Sequence, residues 1–158
     1  MPVIKPCLWF DTQAEEAAKF YVSIFKNSKL GNLSYYGEGA PLPKGTVLTA
    51  TFYLDGQEFM ALNGGPVFKF NEAISFVVTC QTQQEIDDYW KKLTADGGKE
   101  VQCGWLKDKY GLSWQIVPAA LGEMMKDKDP AKTNRVMSAL MQMVKLDIGG
   151  LENAYRGE

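Results

Sequence analysis

Ile4, Thr12, Glu15 and Phe20 recur 70 positions later as Ile74, Thr82, Glu85 and Trp90, and this repeat constrains the fold more than any other feature. The surrounding pattern repeats with them. Ile4 to Phe10 and Ile74 to Cys80 are apolar runs that suit buried strands. Thr12-Gln13-Ala14-Glu15 and Thr82-Gln83-Gln84-Glu85 read as capping boxes, in which the hydroxyl accepts from the third helical amide and the glutamate reaches back to the first. Behind them, Ala14, Ala17, Ala18, Tyr21, Ile24 and Phe25 form one helical stripe, ending near Asn27-Ser28, and Ile86, Trp90 and Leu93 form another. Neither half alone buries much, so the two are expected to pack or pair their sheets into one curved surface.

Three further strands are predicted in each half. In the first they span 29–36, 46–54 and 57–63, the last two joined by the turn dipeptide Asp55-Gly56. In the second they span 99–103, 105–107 and 112–118, after a helix stop at Asp96-Gly97-Gly98. The predicted organisation is one α+β domain over 1–158, with module one at 1–65, module two at 66–118 and a C-terminal helical extension at 119–158. Its two βαβββ modules are expected to form a curved mixed sheet. In the extension, Asp129-Pro130 reads as an N-cap followed by proline at the first helical position. Val136, Leu140, Met143 and Val144 form a stripe there, and Met137 and Met141 a second apolar face. So wide an apolar surface needs two covers, which either a second copy (a homodimer) or the modules themselves would supply.

Composition excludes several functions. The chain has no histidine, so it lacks the commonest metal ligand and the side chain that most readily moves protons near neutral pH. With 17 basic and 19 acidic side chains and no basic cluster, no nucleic-acid partner is expected. No apolar run approaches the roughly 20 residues that span a bilayer, and the N-terminus does not read as a signal peptide, so no membrane association and a cytoplasmic location are expected. Cys7, Cys80 and Cys103 are an odd number without CxxC spacing, which argues for reduced thiols.

Strand alternation gives a candidate site. Gln115 shares a face with Ser113 and Val117, while Trp114 and Ile116 point the other way, under a helix. By the same parity Cys7 goes with Trp9, Ser75 with Val77 and Thr79, and Phe59 with Ala61 and Asn63 as the matching set of module one. If Gln115 faces inward, the cup is apolar and aromatic with a few amides and hydroxyls, as a small organic ligand requires. The alternative is that these are satisfied polar groups between sheets. The candidate ligand-binding residues are Cys7, Trp9, Asn63, Ser75, Trp105 and Gln115, although Cys7 reads first as a plain core thiol. Tyr35, Tyr36 and Glu38 border the Gly/Pro-rich loop from Gly37 to Gly45, which is either a lid, with Glu38 a candidate base, or a solvated hairpin. Gly64-Gly65-Pro66 reads as a linker between modules.

Several strings resemble the PhnB-like branch of the vicinal oxygen chelate, or glyoxalase/bleomycin-resistance, superfamily. They are Cys7-Leu8-Trp9-Phe10-Asp11, the helix segment from Ala14 to Tyr21, Phe59 to Pro66, Gly104 to Asp108 and Ser113 to Pro118. Members of that branch carry the description 3-demethylubiquinone-9 3-methyltransferase. The resemblance implies that metal ligands, where present, project from the first and last strands of each module. It also places a carboxylate four residues past an Asp-x-x-Gly turn. Here that turn is Asp108-Lys109-Tyr110-Gly111 and the residue is Gln115; Ser75 stands where an imidazole is expected, and Cys7 lies near the corresponding place in module one. An amide, a hydroxyl and a thiol hold hard cations poorly, so neither a metal nor another cofactor is expected. The reading is a metal-free small-molecule-binding protein. The alternatives are an enzyme of the superfamily, either lyase/dioxygenase-like or the described methyltransferase, and a structural dimeric subunit. No glycine-rich strand-to-helix loop for a nucleoside cofactor accompanies the methyltransferase description.

Overall fold

The computed structural model describes residues 1–158 and divides into two compact units, Met1–Phe70 and Asn71–Glu158. The first holds β1 (Cys7–Phe10), α1 (Ala14–Ile24), β2 (Lys29–Tyr35), β3 (Val47–Leu54) and β4 (Gln57–Asn63). The second repeats that order with β5 (Ser75–Cys80), α2 (Gln83–Thr94), β6 (Lys99–Glu100), β7 (Trp105–Lys107) and β8 (Ser113–Pro118). Three further helices follow: α3 (Ala119–Met124), α4 (Pro130–Met141) and α5 (Ile148–Arg156). The α+β fold of two βαβββ modules with C-terminal helices is therefore present. Each module forms its own four-stranded mixed sheet, in the orders β1-β4-β3-β2 and β5-β8-β7-β6, with the first and last strands of each module parallel.

In module one, alternation along β3 buries Ala50, Phe52 and Leu54, and α1 turns its buried stripe of Ala14, Ala17, Ala18, Tyr21 and Ile24 to the sheet. Three alanines let the helix approach closely. Tyr21 then stacks on Phe52 at 5.9 Å and Phe52 on Phe59 at 5.2 Å. Each such fully buried ring contributes about 1.5–3 kcal/mol of transfer free energy. Asp55 and Gly56, both with positive φ (47° and 80°), make the tight turn between β3 and β4 that their identities predict.

The two capping boxes diverge. Thr82 caps α2, accepting from the Glu85 amide at 3.2 Å, while the Glu85 carboxylate takes the N–H of Gln81, the residue before the cap, instead of the first helical amide. Thr12 makes no such bond. The first position before α1 is Gln13, without a side-chain cap, and the Ala14 N–H donates instead to Asn63 Oδ1 at 2.8 Å. Parallel pairing sets Phe10 opposite Asn63, which carries the end of β4 to the mouth of the helix.

The extension builds a small core of Met124, Val136, Leu146 and Leu151. Asp129 and Pro130 open α4 as predicted, but the helix ends at Met141, so Met143 and Val144 of the predicted stripe lie beyond it. There the chain runs beside module two: Cys103 and Gly104 donate to the Met143 and Val144 carbonyls, both at 2.8 Å. Gly104 has φ +81°, and a Cβ on it would come within 2.9 Å of the Leu146 side chain. Gln83 at the start of α2 clasps the same stretch, donating to the Leu146 carbonyl at 3.0 Å and accepting from the Ile148 N–H at 2.8 Å. Strand β6 is shorter than predicted because Cys103 (φ 63°) and Gly104 turn the chain towards this contact.

Candidate functional site

In module two the orientation of β8 is fixed by a buried carboxylate. Asp108, 2% exposed, accepts from the Tyr110 and Leu112 N–H groups and from the Trp114 indole at 2.9, 3.1 and 2.9 Å. This closes the Asp-x-x-Gly turn and draws Trp114 to the buried side, with Ile116 and Leu106. Gln115 is thereby turned to the open face, as alternation predicts. Its amide nitrogen donates to Ser75 Oγ at 2.9 Å, and strand register sets it between Val77 on β5 and Trp105 on β7. Three predicted residues, Ser75, Trp105 and Gln115, thus meet on one sheet face.

The next row of the same face is Ser75, Ser113, Lys107 and Lys99, one residue from each strand. The Ser113 hydroxyl is buried without a hydrogen-bond partner, and Lys107 pairs with Glu72. Sequence reasoning passed over Lys107 and Lys99 altogether and used Ser113 only to set parity. Residues this far apart in the chain become a row only once the register of four strands is known.

Module one departs from the prediction. Register places Cys7 and Trp9 beside Met60 and Leu62, on the face away from α1. Phe59, Ala61 and Asn63 instead lie on the buried face towards α1, because the Phe59 ring belongs to the stack under that helix. Asn63 is therefore separated from Cys7 and Trp9, and its amide is engaged by Ala14 and, at 3.0 Å, by the Val47 carbonyl. Cys7 is exposed rather than a core thiol, though partial desolvation still raises its pKa. Trp9 is seated by the linker: its indole donates to the Gly65 carbonyl at 2.9 Å and meets the edge of Phe68 at 4.9 Å. Gly64 permits this, since a Cβ there would lie 2.3 Å from the indole. Tyr36 donates to the Asn63 carbonyl, and its backbone closes the 37–45 loop as a hairpin through Thr46 and Gly45. Glu38 sits on that loop, exposed and paired with Lys44 at 2.9 Å, so the loop has the form of the solvated hairpin.

No three His, Cys, Asp or Glu side chains converge as metal ligands. The open face of module two offers hydroxyls, an amide and ammonium groups, which do not fit a hard divalent cation.

The family model described as 3-demethylubiquinone-9 3-methyltransferase matches residues 2–117, both modules up to the end of β8. A PhnB protein of Bacillus cereus carrying the same description is 42% identical, covering 75% of this chain and 100% of its own, with a TM-score of 0.68. Two more distant structures share the fold. One is FosX, the genomically encoded fosfomycin resistance protein of Listeria monocytogenes in complex with Mn(II) and a sulfate ion; it is 16% identical over 79% of this chain and 95% of its own, with a TM-score of 0.54. The other, a possible glyoxalase from Bacillus cereus, is 11% identical over 74% and 98%, with a TM-score of 0.50. No match was found among curated proteins. Two βαβββ modules, the family match across both of them and the Bacillus cereus relative together show that the chain belongs to the 3-demethylubiquinone-9 3-methyltransferase, or PhnB-like, family.

Proposed function

We propose that this protein binds a small organic molecule on the open face of module two, without a metal ion. The observation that carries the reading is the 2.9 Å hydrogen bond between Gln115 and Ser75 beside Trp105. An amide and a hydroxyl satisfy one another there, and Gln115 keeps its carbonyl oxygen and Ser75 its own proton for a ligand. Trp105, Val77 and Val117 supply apolar surface around them, the mixture that small-molecule sites use. The methyltransferase in the family description finds less support, because both sheets are mixed rather than the doubly wound parallel type that cradles nucleoside cofactors. A cytoplasmic location belongs to the same reading; no helix is long and apolar enough to cross a membrane. So does a homodimer, for which the exposed Met137 and Met141 on α4 are the candidate surface. Light scattering at micromolar concentration tests the dimer.

Titration of the full chain with small aromatic and aliphatic compounds, followed by tryptophan fluorescence, tests the ligand site. Gln115→Ala is expected to weaken binding while changing unfolding free energy by no more than about 0.5 kcal/mol, because water replaces the amide on an open face. A large drop in the ligand-free melting temperature would make Gln115 a strut and remove the site's anchor. Stoichiometric metal surviving dialysis, measured by elemental analysis, would overturn the metal-free reading.

A further inference from the structure

We infer that Ser75, Ser113, Lys107 and Lys99 form an oxyanion subsite, so that the molecule bound on this face is an organic acid. The inference rests on the reading of module two's open face as a ligand face. Its basis is the row itself. Ser75 on β5 is opposite Ser113 on β8, Ser113 is opposite Lys107 on β7, and Lys107 is opposite Lys99 on β6. Directly opposite residues on adjacent strands point to the same face with Cβ atoms about 5 Å apart, so two hydroxyls and two ammonium groups lie in line across the sheet.

The Ser113 hydroxyl shows that this row is more than a run of surface charge. It is 1% exposed and has no hydrogen-bond partner, a state that costs free energy and is relieved by an acceptor brought to it. Beside it, Ser75 Oγ already accepts from Gln115, which leaves the Ser75 proton to donate outward. Acidic neighbours cancel little of the charge. Glu100 points to the opposite face, where its carboxylate holds the Trp90 indole at 2.7 Å. Glu72 does pair with Lys107, but the two side chains are 31% (Lys107) and 57% (Glu72) exposed, and ion pairs open to water hold weakly, so an incoming oxyanion can displace the carboxylate.

The adjacent row determines the rest of the ligand. Val77, Gln115 and Trp105 lie side by side one step along the strands, offering apolar surface, an indole and one amide. A ligand with a carboxylate or phosphoryl head on the first row and an aromatic or compact aliphatic body on the second matches both. Charge-assisted hydrogen bonds hold the head, and burial holds the body.

The test uses the full chain and four probes: benzoate, phenylphosphonate, benzyl alcohol and inorganic phosphate, with binding followed by intrinsic tryptophan fluorescence and amide NMR shifts. Benzoate or phenylphosphonate is expected to bind at least about tenfold more tightly than benzyl alcohol, a difference of about 1.4 kcal/mol, and to weaken with added salt. The better of the two names the head group. Ser113→Ala and Lys107→Met should each weaken the acid about tenfold while leaving benzyl alcohol unchanged. Ser113→Ala removes an unpaired buried hydroxyl, so it should fold at least as stably as the wild type. If benzyl alcohol binds as tightly as the acids, the oxyanion subsite is wrong while the ligand face stands. Sensitivity to Lys107→Met without sensitivity to Ser113→Ala, or binding of inorganic phosphate as tight as that of phenylphosphonate, reduces the row to surface charge and overturns the inference. Failure of all four probes to shift any resonance of this face overturns both the subsite and the ligand face.

Discussion

Modules one and two run the same five elements in the same order, yet they secure their helices by different means. In module one Asn63, at the far end of the sheet strand β4, supplies the oxygen that caps α1, whereas in module two the adjacent Thr82 caps α2. The register explains the difference. Asn63 stands opposite Phe10 as Pro118 stands opposite Cys80, and proline has no amide to offer. A second contrast follows two residues before the Cys7–Met60 and Val77–Gln115 pairs. Module one has Lys5 and Glu58 there, joined by an ion pair at 3.2 Å, and module two has Ser75 and Ser113. Module one's row satisfies itself, while module two's leaves the Ser113 hydroxyl without a partner. A repeated scaffold can thus close one copy's row on itself and leave the other's open, as the proposed ligand face requires.

This contrast can be broken or sharpened by substitution, and the largest effect belongs to Asn63. Asn63→Ala strands the buried Ala14 N–H and Val47 carbonyl, and should cost roughly 3 kcal/mol in urea unfolding. A loss no greater than that of Thr82→Ala would show that module one does not depend on its distant cap. Gly64→Ala comes next, at about 2 kcal/mol, because the added methyl collides with the Trp9 indole. It should also change tryptophan emission, and an unaltered spectrum would mean that Trp9 is not seated on the linker. Thr82→Ala should cost about 1 kcal/mol, the usual value of a local cap.

The smallest effect concerns pH and falls on module two alone, since the position of Cys80 is held in module one by Phe10. Burial, with a lesser push from the Glu85 carboxylate, raises the Cys80 thiol to about 11 from 9.0. The folded state therefore favours the neutral thiol: the stabilisation is full below pH 9, where both states are protonated, and is lost as pH rises towards 11. At about pH 9.5 the loss is a little under ~1 kcal/mol relative to neutral pH. Urea midpoints at neutral pH and at about pH 9.5 should fall further for the wild type than for Cys80→Val. Equal falls would show that Cys80 does not titrate differently on folding.

The repeat, the five elements of each module and the turn at Asp55-Gly56 were legible in the sequence because each is written in local spacing. The parity of Gln115 and Ser75 was legible for the same reason. What sequence missed depends on chain segments that meet only after folding. Thr12 has the right residues around it for a capping box, but Asn63, 49 residues away, holds the Ala14 amide instead. The face of β4 was misassigned because Phe59 and Met60 are both apolar, and only the stack on Phe52 decides which is buried. Helices α3 and α5 were not predicted separately, being short and lacking a long stripe. The Ser113 and Lys107 row is invisible without the register that β7 and β8 adopt.

The clasp that Gln83 places on Leu146 and Ile148 bears on the order in which the chain matures. Module one lies within the first 70 residues, with all its strand partners and its helix cap at hand. Module two opens its helix at Gln83 but has to wait for a segment more than 60 residues later to occupy that amide and to pair with Cys103 and Gly104. During synthesis from the N-terminus, the first sheet can be complete while the second still lacks the contacts that Met143, Val144 and Leu146 make with it. The closing of that long loop, rather than the formation of either sheet, is the step expected to govern when the proposed ligand face is complete.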